Sequence, residues 1–197
     1  MKKITYIFLF FALSLVGCDM NEQVFDRIDA TVYYQNEASV KGAVAAIYGN
    51  AAMSYLEYFW YLNEFSADQV VWRVWNGGLW GYDEGEKTVL STHTWTAESK
   101  IIRSTWETAW STIGLCNTLL GDFERLEAAS LGMTEEKLNV YIAEVRTLRA
   151  WAYYNIYELW GGALPLNVTS TSESSVIPGT ADPDFDKSSK KIFDFII

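Results

Sequence analysis

Residues 134–166 read TEEKLNVYIAEVRTLRAWAYYNIYELWGGALPL and contain the longest helical pattern of the chain. Thr134 is a suitable N-cap, and the glutamates that follow it favour the positive end of a helix dipole. The apolar positions that recur at helical spacing are Leu138, Tyr141, Ile142, Val145, Leu148, Ala152, Ile156 and Leu159. A Gly-Gly pair at 161–162 ends the pattern, and Pro165 prevents the helix from resuming. The segment therefore predicts one long helix that packs along a single face.

Three other segments show helical spacing. Asn36 is a candidate cap for a first helix, whose apolar positions are Val40, Ala43, Val44, Ile47, Ala51 and Tyr55. A second, unbroken stripe comprises Ile102, Trp106, Ala109, Ile113, Cys116, Leu120 and Phe123. A last helix is predicted to begin near Ser188 or Ser189 and to carry Ile192, Phe193 and Ile196. The chain is thus predicted to be mainly α, with helices paired in a bundle or a helical repeat.

An aromatic-rich segment, Trp60 to Trp95, lies between the first two helices and is predicted to be a loop insertion. An indole can stack on the C–H face of a sugar ring, and polar side chains beside it can pair with sugar hydroxyls. The candidate ligand-binding residues are Asp68, Trp72, Arg73, Trp75, Asn76, Trp80 and Tyr82. The alternative is that these rings are core residues, and this is the interpretation that we favour for the consecutive quartet Tyr58 to Tyr61.

The composition excludes several classes of function. The chain has 197 residues with 15 basic and 25 acidic side chains, and its formal net charge of −10 disfavours nucleic acid binding. One histidine, His93, and two cysteines are too few for a Cys/His zinc cluster, so we expect no metal and no cofactor. Cys116 falls in the apolar stripe of the second helix and is predicted to be buried.

Three acidic residues, Asp83, Glu84 and Glu86, raise the alternative of a glycosidase carboxylate pair. Catalytic pairs usually come from distant parts of a fold, whereas these three lie in one glycine-rich stretch. The same stretch lacks the Gly-Lys-Ser/Thr ending of a phosphate-binding loop, because Glu86 separates Gly85 from Lys87. We therefore expect a binding protein and not an enzyme.

The N-terminus has the pattern of a lipoprotein signal. Two lysines precede an apolar run of 13 residues, Ile4 to Val16, which is shorter than the ~20 residues that span a bilayer. The run ends in the sequence LVGC, in which Cys18 occupies the position that a bacterial lipobox modifies with lipid. We predict a signal peptide at 1–17, lipidation of Cys18 and an acidic N-terminal tether at 18–35.

Two stretches carry a resemblance to a known family. Residues 143–154 read AEVRTLRAWAYY, and residues 159–166 read LWGGALPL. Together they resemble the "AE.R.LRA..Y" helix and the "GG..PL" turn of the SusD/RagB family. Trp106, Ile113 and Asn117 resemble the family's "W...Y..I...N" helix, with Trp110 at the position where tyrosine is commoner. The resemblance covers essentially the whole chain.

The resemblance implies a surface-exposed, lipid-anchored outer-membrane protein built on tetratricopeptide-like helix pairs. Such proteins are not enzymes; they bind glycans and sit as a lid on a SusC-like TonB-dependent transporter. Family members are several hundred residues long, so residues 36–197 are expected to be a SusD-like N-terminal helical domain that is truncated at its C-terminus. The alternatives are a helical adaptor or scaffold that binds no sugar, a protein that binds peptide, and a truncated, inactive remnant.

Overall fold

The structure, a computed structural model, describes residues 30–53, 58–72, 74–75, 78–79, 85–168 and 181–197. The fold is mainly helical, as predicted. Its helices are α1 (Ala30–Tyr33), α2 (Glu37–Met53), α3 (Trp60–Ser66), α4 (Glu86–Ser91), α5 (Lys100–Phe123), α6 (Glu135–Trp160) and α7 (Phe185–Ile196). A 3-10 turn, Ala128–Leu131, connects α5 to α6, and the short strands β1 (Val74–Trp75) and β2 (Gly78–Leu79) pair antiparallel.

The three long helices α2, α5 and α6 contact one another and form the centre of the fold. Their shared core contains Val40, Val44 and Ile47 from α2, Cys116, Leu119 and Phe123 from α5, and Leu138 and Val145 from α6. Both predicted caps are confirmed. The backbone N–H of Ser39 donates to Asn36 Oδ1 at 3.1 Å, and that of Lys137 donates to Thr134 Oγ1 at 3.3 Å. The arrangement of these helices as tetratricopeptide-like pairs stays a prediction.

The buried surface of α5 is wider than the single stripe that its sequence predicts. Ala109, Ile113, Cys116 and Phe123 are buried as expected, whereas Ile102, Trp106 and Leu120 are only half-buried. The additional buried side chains are Ile101, Thr105, Trp110, Thr112, Asn117 and Leu119. The width follows from the position of α5, since it packs on α2 and α6 and its first turn also contributes Ile101 to a cluster with α3 and α4.

The prediction of a loop from Trp60 to Trp95 is wrong at both of its ends, because these are the short helices α3 and α4. In α3, Asn63 Nδ2 donates to the carbonyl of Phe59 at 2.9 Å. This side-chain hydrogen bond adds to the few backbone hydrogen bonds of the short helix. Leu62 and Phe65 of α3 and Leu90 of α4 are buried together with Ile101. Burial of these apolar side chains stabilises two helices that are too short to persist alone.

The last helix also begins earlier than predicted, at Phe185 instead of Ser188 or Ser189. Asp184 is its cap, because its Oδ1 accepts a hydrogen bond from the N–H of Lys187 at 3.2 Å. Ile192 is fully buried, but Phe193 is exposed. Ser188 Oγ donates to the carbonyl of Leu164 at 3.0 Å, which fastens α7 to the segment after α6.

Two predictions about the N-terminus lie outside the described residues, namely the signal peptide at 1–17 and the lipid-bearing Cys18. Of the predicted tether, residues 30–35 are described. Tyr34 is buried, and its hydroxyl donates to Asp122 Oδ2 at 3.3 Å, so the helical fold already includes this residue. Within the part of the chain that the structure describes, no helix is both long and apolar enough to cross a membrane.

Candidate functional site

Two of the seven predicted ligand-binding residues can be described with their side chains, Asp68 and Trp72. Trp75 is described only through its backbone in β1, and its partner across the hairpin is Gly78. The other four candidates, together with the lipidation site, lie outside the described residues: Arg73, Asn76, Trp80, Tyr82 and Cys18. The prediction that they contact a ligand therefore stays a prediction.

Trp72 is half-buried and packs against Phe65 and Lys87. Its ring meets Phe65 edge-on, with 6.1 Å between ring centroids, and Lys87 Nζ lies 4.2 Å from the centroid of the indole. The same ammonium group is 4.7 Å from the Tyr61 centroid, so one cation contacts two rings. Trp72 Nε1 is buried without a hydrogen-bond partner among the described residues. Asp68 is exposed in the turn after α3 and has a left-handed backbone, with φ 57°.

A cavity of about 350 Å³ lies beside this aromatic group, between α3, α4, α5 and the end of α6. Leu62 and Ser66 line it from α3, Leu90 from α4 and Ile102 from α5. The rest of its wall comes from residues 95–97 and from Leu159 and Trp160 at the C-terminal end of α6. Leu62, Leu90, Ile102, Leu159 and Trp160 belong to the same hydrophobic cluster as Trp72.

Trp160 is held in the cavity wall by a chain of aromatic contacts through the core. Its ring lies 5.2 Å from Trp106 at an interplanar angle of 70°. Trp106 in turn lies 5.5 Å from Trp110, which meets Tyr153 at 5.6 Å and 87°. Edge-to-face pairs of this kind are attractive beyond the area they bury. This wall is therefore fixed before any ligand arrives.

Trp95 forms the outer part of the wall, and 40% of its surface is exposed. The turn that ends α4 places it there. The N–H of Thr94 donates to Val89 O at 3.0 Å and that of His93 donates to Leu90 O at 3.2 Å, which is the Schellman pattern of hydrogen bonds. His93 takes the left-handed position, with φ 56°, and its ring lies 5.3 Å from that of Trp95.

The polar groups of the cavity are hydroxyls. Ser66 donates its hydroxyl hydrogen to the carbonyl of Leu62, which leaves its oxygen able to accept. Thr96 Oγ1 accepts from the N–H of Glu98 at 3.3 Å, and the Thr96 side chain also hydrogen-bonds to the Glu98 carboxylate, which lowers the pKa of that carboxyl group. None of the described residues that line the cavity carries a charge. The nearby Glu86 accepts hydrogen bonds from the first N–H groups of α5, those of Lys100 at 3.0 Å and Ile101 at 3.1 Å.

A second polar cluster lies between α5, α6 and the segment that follows α6. Arg149 Nη1 donates to Asn117 Oδ1 at 2.7 Å, and Asn117 Nδ2 donates to Asn167 O at 3.0 Å. The hydroxyl of Tyr153 also donates to that carbonyl at 3.0 Å, and burial raises the pKa of this tyrosine to about 12. Desolvation by burial lowers the pKa of Arg149. The cluster satisfies the carbonyl of the half-buried Asn167 and so fastens the segment after α6 to α5 and α6.

The sequence does not predict the cavity, although its two tryptophans lie in the segments that carry the predicted ligand site and the family resemblance. Trp95 ends the aromatic segment, and Trp160 lies in the stretch that resembles the SusD/RagB turn. The two tryptophans come together only because α4, α5 and α6 pack against one another, and the spacing of residues within one segment does not predict such packing. Cys116 is buried, as predicted, and His93 is exposed.

Comparisons with known proteins identify no relative of this chain. No family model matches the chain, and no curated protein and no solved structure shows significant similarity to it. Within the described ranges, no group of His, Cys, Asp and Glu side chains is placed to hold a metal ion. The functional argument therefore rests on the residues and their geometry.

Proposed function

We propose that this chain is a lipid-anchored, cell-surface protein of the outer membrane that captures glycan for a SusC-like TonB-dependent transporter. The observation that carries the proposal is the cavity walled by Trp95 and Trp160, with hydroxyl groups from Ser66 and Thr96. Aromatic walls with a few convergent polar groups are the usual form of a small-molecule site. The resemblance of residues 143–166 to the SusD/RagB family supports the same function.

The chemistry of a sugar matches these walls. One face of a pyranose ring is a patch of C–H bonds that packs against an indole, and its hydroxyls both donate and accept hydrogen bonds. Both tryptophans are held in place by neighbouring rings, His93 for Trp95 and Trp106 for Trp160. Little conformational freedom is therefore lost when a ligand binds, and a larger share of the contact energy appears as affinity.

Affinity electrophoresis of the full chain through gels that contain polysaccharide tests glycan binding. We expect retardation by at least one polysaccharide, and weaker retardation after Trp95→Ala. A triple replacement of Trp72, Trp75 and Trp80 by alanine tests the sequence-based site separately. Trp60→Ala is the matched control, because Trp60 is 41% exposed but lies outside the cavity wall. Migration unaffected by every polysaccharide would refute glycan capture.

The anchor is tested through Cys18. If this residue carries lipid, the wild-type chain partitions into the membrane fraction and a Cys18→Ser variant is released from it. Triacylation gives firm attachment, since each buried methylene contributes ~0.8 kcal/mol. Equal membrane association of both chains would contradict lipidation at this residue.

An adaptor that binds no sugar is the second candidate, and exposed apolar side chains on the long helices favour it. Val140 and Tyr154 of α6 and Tyr48 of α2 are exposed. Surface hydrophobic residues of this size are common at protein contacts. Co-purification with a transporter barrel, combined with no retardation by any glycan, would identify this function instead. Retention of peptides but not glycans would indicate a peptide receptor.

A further inference from the structure

From the chemistry of the cavity walled by Trp95 and Trp160 we infer that it selects an uncharged sugar ring and rejects uronic acids and other acidic sugars. The inference rests on the proposed function and names the class of glycan that this site takes. It goes beyond the sequence, in which Arg73 and the acidic residues of the aromatic segment leave the charge of the ligand open.

Among the described residues, the lining offers no cationic partner to a carboxylate. Every described side chain in the wall is apolar, indole or hydroxyl. A carboxylate that leaves water without a cation or several donors loses much more solvation energy than a hydroxyl group does. The acidic sugar would therefore be excluded by its charge, whereas a neutral ring would exchange water for Trp faces and the hydroxyls of Ser66 and Thr96.

The charged residues of α4, Glu86 and Lys87, are already engaged. The carboxylate of Glu86 accepts two backbone N–H groups at the start of α5. Lys87 lies over the rings of Tyr61 and Trp72, so its ammonium is directed to the aromatic group beside the cavity. Neither side chain is among the lining residues. A ligand carboxylate in the cavity thus meets no cation from α4.

The size of the cavity limits how much of a glycan enters. About 350 Å³ is near the lower end of the range of ligand pockets, which is roughly 300–1,000 Å³. The space suits a single ring or a short terminal unit. The cavity therefore binds one uncharged ring, and the rest of the glycan stays outside it.

The test compares neutral and acidic polysaccharides on the full chain. Barley β-glucan, xylan and starch are the neutral probes, and polygalacturonate and alginate are the acidic ones. Because the chain has a formal net charge of −10, it repels polyanions at long range whatever the cavity prefers. Binding is therefore measured at low and at high salt, since salt screens the long-range term and leaves contacts inside the cavity largely unchanged.

We expect at least one neutral probe to bind, and the acidic probes to bind at least about tenfold more weakly even at high salt. Trp95→Ala should weaken neutral binding by about fivefold, on the scale of an aromatic contact. Trp60→Ala should leave it unchanged. Thr96→Lys places a cation at the cavity wall and should raise the affinity for polygalacturonate relative to β-glucan.

Each contrary result has a separate meaning. Acidic probes that bind as tightly as neutral ones at high salt would overturn the inference and leave glycan capture standing. Neutral binding that survives Trp95→Ala but is lost with Trp72→Ala would overturn the cavity as the site. Absence of binding to every probe would refute the proposed function itself.

Discussion

Gly162 is the position where one added methyl group should have the largest effect on this fold. The residue is buried directly after α6, against the second turn of α7. A Cβ atom built on it would overlap Ser189 Cβ and Oγ and lie 2.6 Å from Ser189 Cα. Because Cα belongs to the backbone, rotation of the serine side chain cannot remove the overlap. Gly162→Ala must therefore push α7 away from the end of α6.

The expected destabilisation can be worked from the contacts at this junction. Overpacking a filled site costs about 1–3 kcal/mol. Displacement of α7 also strains two hydrogen bonds, Ser188 Oγ to Leu164 O and that between Tyr157 and Ser189, each worth about 0.5–1.5 kcal/mol. Replacing glycine by alanine also lowers the conformational entropy of the unfolded chain, which offsets about 0.4–1 kcal/mol of this loss. If both hydrogen bonds are lost, the free energy of unfolding should therefore fall by about 1–6 kcal/mol.

Urea denaturation followed by tryptophan fluorescence measures this change, and limited proteolysis reports whether α7 is released. Gly49→Ala is the matched control, because a Cβ at this position in α2 meets nothing within 4 Å. That variant should be more stable than the wild type by about 0.5–1 kcal/mol, as expected for alanine in a helix interior. If Gly162→Ala were as stable as Gly49→Ala, the close packing of α7 on residue 162 would be refuted.

Three further predictions concern single side chains. His93→Gly should raise the free energy of unfolding by up to about 1 kcal/mol in thermal melts, since a left-handed backbone costs other residues energy; a loss of that size would show that its ring contact outweighs the strain. In a Cys18→Ser background, Cys116 should resist a thiol reagent until the protein unfolds, because burial raises its pKa to about 12; rapid labelling of the native chain would contradict this. Hydrogen bonds, first that from Lys137, lower the pKa of Glu37, so its stabilisation should be present above the ordinary value of 4.5 and be lost as the pH falls through the lower folded value. Acid titrations of wild type and Glu37→Gln, followed by circular dichroism, should converge at low pH; a constant difference would refute the linkage.

Local signals predicted the long helices well. The caps Asn36 and Thr134 and the stop at Gly161 each depend on residues within one turn of the helix end. Gly161 has φ 76°, a conformation that glycine adopts without strain. Such features are readable because the interacting groups are adjacent in the sequence. For the same reason they say little about which helix packs against which.

The errors lie where tertiary contacts decide the structure. Helices α3 and α4 are too short to show a stripe, and they exist because Phe65 and Leu90 are buried against α5. In α7, Asp184 caps the helix one turn before the serines that the sequence pattern indicates. The width of the buried surface on α5 likewise depends on its having several neighbours. Each case needs the positions of residues that are distant in the chain.

The tryptophans show how structure sharpens an argument from composition. Nine tryptophans make aromatic contact with a ligand plausible, but Trp110 is buried in the core and Trp72 is half-buried against Phe65 and Lys87. Among the tryptophans whose side chains the structure describes, Trp60 and Trp95 are the exposed ones, at 41% and 40%, and exposure does not distinguish between them. Of these two, Trp95 lines the cavity. Since a concave wall surrounds a ligand whereas an isolated exposed ring touches one side of it, Trp95 is the residue whose replacement should most directly reveal whether this chain holds a sugar.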